Sequence, residues 1–154
     1  PLTMRDPGER WRGVTMAAPG LQTFLDAELA RASLPPSALA LVGFSQGTMI
    51  ALHVGLRRAV ASAAIVGYSG LLALPDNADP ATVAAEIKSR PPVLLVHGDQ
   101  DPLIPIDALF HAAQGLAALE VPVEWHISAG VGHGIDQEGL RHGGEFLARR
   151  FGRR

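Results

Sequence analysis

The sequence predicts an α/β fold with a mostly parallel sheet and flanking helices. Short, continuously apolar runs alternate with segments whose apolar residues recur every three or four positions. Such runs are typical of parallel strands buried on both faces, and parallel neighbours need helical connections. At 154 residues and 47% hydrophobic content, the chain is long enough for a sizeable core, so we expect one domain over residues 1–154.

The amino-terminal part of the chain predicts a helix, a strand and a second helix. In LQTFLDAELARA, apolar residues recur every three or four positions and predict one face of a helix: Leu21, Phe24, Leu25 and Leu29. We expect this helix to start earlier and to be disturbed at Pro19. LPPS ends this helix. ALALVGF predicts the first strand, and QGTMIALHVGLRR predicts the helix after it, which closes on two arginines where cations suit the helix dipole.

Three further strands follow, predicted by ASAAIVGYSG, VLLVHG and VPVEWHIS. Before VLLVHG, Asp79 is the expected cap and Pro80 a first-turn residue of a short helix over Thr82 to Lys88. The helix before VPVEWHIS is predicted by one apolar stripe: Ile106, Leu109, Phe110, Ala113, Leu116 and Ala117. DQEGLRHGGEFLARRF predicts the last helix. In such a fold, binding residues lie in loops at the carboxyl ends of the strands.

The composition argues against several kinds of partner. The net charge is −2 and no basic block exceeds a pair of arginines, so we expect neither a nucleic acid nor a membrane-surface partner. Neither a membrane-spanning apolar run nor the apolar core of a signal peptide is present, so we expect no membrane insertion and a cytoplasmic location. The chain has no cysteine and no complete nucleotide-binding glycine pattern, so we expect no cofactor.

One motif points to nucleophilic catalysis. Gly43, Phe44, Ser45, Gln46 and Gly47 fit the pattern G-x-S-x-G between a predicted strand and a predicted helix. In that context the glycines allow a sharp turn that projects a strained serine away from the backbone. The turn also directs the serine and the following backbone N–H toward one point at the positive end of the helix, where an oxyanion can be held. An ordinary strand-to-helix turn of small residues is the alternative.

A serine nucleophile needs a base and an acid that orients the base. HGDQDPLIP follows the third strand and offers Asp99 and Asp101, and SAGVGHGID follows the fourth strand and places His133 in a glycine-rich loop. The chain order Ser, Asp, His is that of the α/β-hydrolases and differs from the two unrelated protease orders.

GFSQG, HGDQDPLIP and GHGI together resemble the phospholipase/carboxylesterase family of α/β-hydrolases, which includes acyl-protein thioesterases. The resemblance extends from about Arg5 to the end of the chain. It implies Ser45 as nucleophile, Asp101 as the orienting acid and His133 as general base. Asp101 is preferred to Asp99 because the family's acid stands three residues after the glycine of HGDQD, which leaves Asp99 as a turn residue.

The resemblance implies a serine hydrolase that cleaves a small-molecule carboxylic ester or thioester through an acyl-enzyme, with the N–H of Gln46 as one oxyanion donor. A serine peptidase is the alternative enzyme, because a triad does not select the acyl or leaving group. Apolar residues in the loops after the second and third strands are candidates for an acyl pocket, and equally for ordinary core: Leu71, Leu72, Leu74, Leu103 and Ile104.

Family members have a longer amino-terminal region, which carries earlier strands and a loop with a second oxyanion donor. The first 37 residues here show no strand pattern, so we expect a partial domain, truncated at the amino-terminal side, in which the strand Leu39 to Gly43 lacks a neighbour. A free strand edge invites pairing, so we expect it to be covered by another subunit, a separate amino-terminal fragment or rearranged local chain. A catalytically impaired fragment, or an interaction domain that assembles through this edge, is the alternative function.

The remaining histidines are expected to be packed or solvated: His53, His97, His111, His126 and His142. A metal site built from His97, Asp99 and Asp101 is disfavoured, because ligands this close together in the sequence make a poor cage for an ion. We therefore expect no metal.

Overall fold

Four parallel strands form one sheet in the order β1-β2-β3-β4. The structure, a computed structural model, describes residues 6–152. The strands are β1 (Ala40–Phe44), β2 (Ala64–Tyr68), β3 (Val93–Gly98) and β4 (Val123–Ser128). The helices are α1 (Pro7–Ala32), α2 (Gln46–Arg57), α3 (Pro80–Glu86), α4 (Asp107–Ala118) and α5 (Gln137–Arg150), with one 3₁₀ turn at Pro36–Ala38. The predicted α/β class and parallel sheet are confirmed.

The sheet separates two apolar layers. On one face, α2 and α4 pack on alternate strand residues that include Leu41, Ile65 and Leu95. On the other face, Phe146 of α5 is completely buried against Val66 and its neighbours in β2 and β3. Strands covered by helices on both faces must be apolar at every position, which is why β2 and β3 appear in the sequence as continuous apolar runs.

The two outer strands are less covered. In the part of the chain that the structure describes, β1 pairs only with β2. Val42 and Phe44, which point away from α2, are 58% and 41% exposed. On the other side of the sheet, Trp125 of β4 is 53% exposed. β1 therefore carries more apolar side chains than its observed neighbours cover.

Pro19 does not interrupt the first helix, contrary to the expectation of a disturbance there. α1 continues through Pro19, which lies on its exposed side. A proline inside a helix loses one backbone hydrogen bond and costs about 3 kcal/mol. Packing of the helix offsets this loss, because Leu25 is buried and Ala18 and Leu21 lie against the core shared with α2.

Two predicted apolar stripes are partly wrong. Phe24 in α1 is 58% exposed, and in α4 both Phe110 and Ala117 face solvent. In each helix the buried face is narrower than the apolar pattern, because only residues directed at a neighbouring element gain from burial. The α3 prediction is confirmed at its start, where Asp79 accepts the N–H of Thr82 at 2.9 Å, although this helix ends at Glu86.

No helix within residues 6–152 is long and apolar enough to cross a membrane.

Candidate active site

Ser45 lies in the turn that joins β1 to α2. Its backbone has φ 56° and ψ −117°, a conformation that L-residues rarely adopt and that is found where structure elsewhere holds the strain. The N–H of Ser45 donates to the carbonyl of Tyr68 at 2.9 Å, which fixes the turn to the end of β2. The strained turn thus sets the direction of the Ser45 side chain at the carboxyl edge of the sheet.

A buried threonine supports this turn from beneath. Thr48 is 1% exposed, and its hydroxyl lies 2.9 Å from the carbonyl oxygens of both Gly43 and Tyr68. The hydroxyl has one proton, which it can donate to either carbonyl, and because these carbonyls lie on β1 and β2 it links both strand ends to the first turn of α2. No motif in the sequence marks Thr48, because its partners are brought together only when the strands pair.

The ring of His133 lies between Ser45 and Asp101. Its Nε2 is 3.0 Å from Oγ of Ser45, and its Nδ1 is 2.7 Å from Oδ2 of Asp101. An ionised carboxylate only accepts hydrogen bonds, so Nδ1 carries a proton, and in the neutral ring Nε2 is left to accept from the serine hydroxyl. Phe44 packs beside the ring, with centroids 5.0 Å apart. The structure therefore brings together three side chains from separate strand ends.

The Asp101 carboxylate is fully buried and has several donors. Its Oδ1 accepts the N–H groups of Leu103 and Ile104, each at 2.9 Å, while Oδ2 receives His133. Burial by itself would raise the pKa of Asp101, but the hydrogen bonds from Ile104, His133 and Leu103 together hold that pKa below its usual value. Asp101 is therefore ionised at neutral pH.

His97 and Asp99 have different partners from Asp101, although they are close in sequence. Asp99 accepts the N–H of Gly130 at 2.7 Å, which ties the turn after β3 to the loop that carries His133. His97 is buried, and its Nε2 donates to the carbonyl of Ile104 at 2.8 Å while lying 3.5 Å from Oδ2 of Asp101. His97 thus holds the loop around Asp101, a supporting contact that the sequence alone did not predict.

The loop bearing His133 is packed tightly onto the ends of β2 and β3. Ser69 donates its hydroxyl to the carbonyl of Gly134 at 3.0 Å. A side chain at Gly98 would collide with the backbone of Val131 and Gly132. These contacts position the His133 ring through the backbone of its own loop.

The predicted oxyanion donor and acyl-pocket residues have varied environments. Gln46 is the first residue of α2, so its backbone N–H belongs to the positive end of that helix. Leu71, Leu72 and Leu74 line a cavity of about 190 Å³ that α1 and α4 also border. Leu103 is 59% exposed, whereas Ile104 is 2% exposed and packs in the core. A substrate-contact role for these five residues stays a prediction.

The remaining histidines are indeed mostly packed. His53 is buried beside Trp11, with ring centroids 5.2 Å apart, and burial, aided by the charge of Arg57, lowers its pKa to about 4. His126 and His142 stack on each other between β4 and α5, with centroids 3.9 Å apart. Glu138 lies close enough to this pair that one ligand atom from each residue falls within 4.8 Å of the others.

Known proteins resemble this chain in sequence. The sequence profile of the family Phospholipase/Carboxylesterase matches residues 3–150. Acyl-protein thioesterase 1 of Schizosaccharomyces pombe is 38% identical over 95 residues, which cover 60% of this chain and 40% of the relative. Acyl-protein thioesterase 1 of Gibberella zeae is 29% identical over 116 residues, which cover 75% of this chain and 49% of the relative. The chain spans about two fifths to one half of the length of these relatives.

Solved structures show the same fold. The crystal structure of esterase PE8 superposes with a TM-score of 0.86 at 41% identity and covers 94% of this chain, which spans 66% of the esterase. Arabidopsis thaliana SOBER1 gives a TM-score of 0.82 at 22% identity, with 92% of this chain and 66% of SOBER1 covered. At that lower identity, the second likeness shows the fold alone.

Proposed function

The chain belongs to the phospholipase/carboxylesterase family of α/β-hydrolases, and on that premise we propose that it is a serine hydrolase of carboxylic esters or thioesters. One observation carries the proposal: Ser45 Oγ lies 3.0 Å from His133 Nε2, and His133 Nδ1 lies 2.7 Å from Asp101 Oδ2. These are the contacts that a nucleophile, a general base and an orienting acid require.

In the proposed reaction, Ser45 Oγ attacks the carbonyl carbon of the substrate while His133 Nε2 takes the hydroxyl proton. The tetrahedral intermediate collapses, the bond to the alcohol or thiol breaks, and His133 returns its proton to the leaving group. Water then enters, loses a proton to His133 and attacks the acyl-Ser45 carbon. The second tetrahedral intermediate expels Ser45 Oγ, which takes the proton back from His133, and the acid is released. The buried, ionised Asp101 keeps the proton of His133 on Nδ1 and stabilises the imidazolium.

The developing oxyanion needs hydrogen-bond donors. We assign one of them to the backbone N–H of Gln46, because this residue directly follows the nucleophile and opens α2. The positive end of the helix dipole favours negative charge at the same point. Removal of one such donor typically lowers turnover by ~10² to 10³.

The acyl group of the substrate is proposed to lie against apolar loop residues near the nucleophile. Leu103 is the best-placed candidate, because its side chain is largely exposed while its own N–H binds the Asp101 carboxylate. The cavity beside Leu71, Leu72 and Leu74 is a second apolar surface for an acyl chain.

The proposal is tested by labelling the folded protein with a fluorophosphonate and identifying the modified peptide by mass spectrometry. We expect modification of Ser45 together with hydrolysis of p-nitrophenyl acetate and longer esters. Ser45→Ala removes both while leaving the circular dichroism spectrum unchanged, and Ser37→Ala, at an exposed serine outside the site, keeps both. A folded protein that neither reacts with the probe nor hydrolyses any ester contradicts the proposal.

A second candidate role follows from the outer edge of β1. This strand pairs on one side only, within the residues that the structure describes, and Val42 is 58% exposed beside that edge. Unpaired strand edges add further strands, so we propose that β1 pairs with a second copy of this chain or with a strand of a separate polypeptide. An assembled protein without labelling at Ser45 favours the interaction role over the hydrolase.

A further inference from the structure

Three potential metal ligands meet between β4 and α5, and none of them belongs to the Ser45, His133 and Asp101 cluster. His126 lies on β4, and Glu138 and His142 lie one turn apart on α5. One ligand atom from each residue lies within 4.8 Å of the other two. The spacing of four residues on a helix places Glu138 and His142 on the same face, directed at the strand.

One ring nitrogen of His126 lacks a hydrogen-bond partner among the described residues. This nitrogen is Nε2, and it is buried. The ring stacks on His142 with centroids 3.9 Å apart and an interplanar angle of 29°. Buried polar atoms are normally satisfied, so an orphan nitrogen beside two other ligand groups calls for a specific explanation.

We propose that His126, Glu138 and His142 form a binding site for a divalent transition-metal ion, with Zn²⁺ as the representative ion. Two imidazole nitrogens and one carboxylate are a donor set that Zn²⁺ accepts, and water completes the fourth position of a tetrahedral site. With Nε2 as the ligand atom of His126, the ion would supply the partner that this nitrogen lacks. Glu138 and His142 are four residues apart on α5, but His126 lies on β4, so the site forms only when this helix packs against this strand.

The surrounding charges permit a cation. Arg141 lies 3.4 Å from Glu138 and 3.3 Å from Nε2 of His142, but its closer ion pair, at 2.9 Å, is with Glu145. Arg141 can therefore release Glu138 and keep a partner. The carboxylates of Asp136 and Glu145 also act on the two histidines, and Arg149 as well as Arg141 acts on Glu145, so carboxylates and guanidinium groups both surround the site.

The site would join the two ends of the loop that carries His133. Residues 129–136 connect β4 to α5, and the hydrogen bond from the Ser128 hydroxyl to Asp136, at 2.8 Å, already spans its ends. An ion held by one ligand on β4 and two on α5 adds a second cross-link between the same elements. Its role is to hold the strand and helix together, and it takes no part in the chemistry at Ser45.

The test measures Zn²⁺ binding by isothermal titration calorimetry and Co²⁺ binding by visible absorption, with thermal unfolding in parallel. All proteins carry His133→Ala, because an imidazole in the active site can bind Zn²⁺ independently. We expect one ion per chain, a higher midpoint of unfolding with Zn²⁺, and a Co²⁺ spectrum that shows nitrogen coordination. His142→Ala and Glu138→Gln should each weaken binding by roughly tenfold or more, since even partners of ligands contribute about that much.

His111→Ala is the matched control, because His111 is an exposed helical histidine outside the cluster. It should leave affinity and the shift in unfolding midpoint unchanged. Absence of stoichiometric binding, or equal weakening by His111→Ala and His142→Ala, overturns the proposal. Glu138 is exposed, so Glu138→Gln keeps the test decisive if a histidine variant fails to fold. Labelling at Ser45 is measured separately, in proteins that keep His133, so the test of the hydrolase proposal does not depend on the outcome here.

Discussion

Gly43, at the end of β1, packs directly against the backbone of Gly47 in the first turn of α2. A Cβ at Gly43 would overlap the carbonyl group of Gly47, whereas a Cβ at Gly47 would meet nothing within 4 Å. The two glycines of the G-x-S-x-G motif are therefore not equivalent. Only Gly43 is required by the close approach of strand and helix.

This asymmetry predicts different effects of alanine at the two positions. Gly43→Ala should cost more than about 2 kcal/mol of unfolding free energy, because the buried backbone around Ser45 must move apart. Gly47→Ala, its matched control, should change stability by less than about 1 kcal/mol, since alanine suits a helix. Urea unfolding measures both, and equal losses would show that the turn tolerates no side chain at either glycine.

Asp101 and Asp99 should differ in their effects on activity. Asp101→Asn should lower kcat/KM for p-nitrophenyl acetate by about 10³ to 10⁴, because an amide does not stabilise the required proton position on His133. Asp99→Asn should lower the same kcat/KM by less than about tenfold, since an amide oxygen can still accept the N–H of Gly130. A larger loss of kcat/KM for Asp99→Asn than for Asp101→Asn would show that Asp99, and not Asp101, orients His133.

His53 should make stability depend on pH. Its pKa is lowered to about 4 by burial and by the charge of Arg57, against an ordinary value of 6.5, so the unfolded chain binds its proton first as pH falls. The contribution of neutral His53 to the unfolding free energy is complete above pH 6.5 and is lost progressively toward pH 4. At pH 5 the loss is roughly 1–2 kcal/mol. His53→Phe should flatten the urea-unfolding curve over this range, and parallel curves for both proteins would contradict the assignment.

Leu103 should affect long acyl chains more than short ones. Leu103→Ala removes exposed apolar surface beside the proposed acyl site, so kcat/KM for p-nitrophenyl octanoate should fall by about 3- to 10-fold while the acetate ester is little changed. Phe110→Ala, at an apolar position on α4 that is 41% exposed, is the control. An equal fall for both esters would mean that Leu103 acts through the Asp101 loop instead of the acyl chain.

The open edge of β1 should determine self-association. Light scattering coupled to gel filtration should show a dimer whose dissociation constant rises at least about tenfold in Val42→Lys, because lysine opposes edge pairing. Val60→Lys is the control, since Val60 is 55% exposed but lies outside the sheet. A wild-type protein that remains monomeric at every concentration contradicts pairing between copies.

The sequence by itself determined the class of fold and its candidate site residues. Parallel strands buried on two faces are apolar throughout, and helices carry a periodic apolar face. Both hydrophobic patterns can therefore be recognised in the amino-acid sequence. The limits of that information appear at Phe24 and Phe110, where an apolar residue in register with the pattern faces solvent. Periodicity reports which residues share a face, but only packing decides how much of that face is covered.

Only the tertiary structure decided which side chains meet. Asp99 and Asp101 are the same residue type in the same turn after β3. The folded chain nevertheless directs Asp99 to Gly130 and Asp101 to His133. The supports at Thr48, His97 and Ser69 depend on strand pairing. The cluster of His126, Glu138 and His142 depends on α5 lying across β4. The physical reason is the same in each case: a hydrogen bond or ligand site needs atoms within a few ångströms, and distance along the chain does not set that separation.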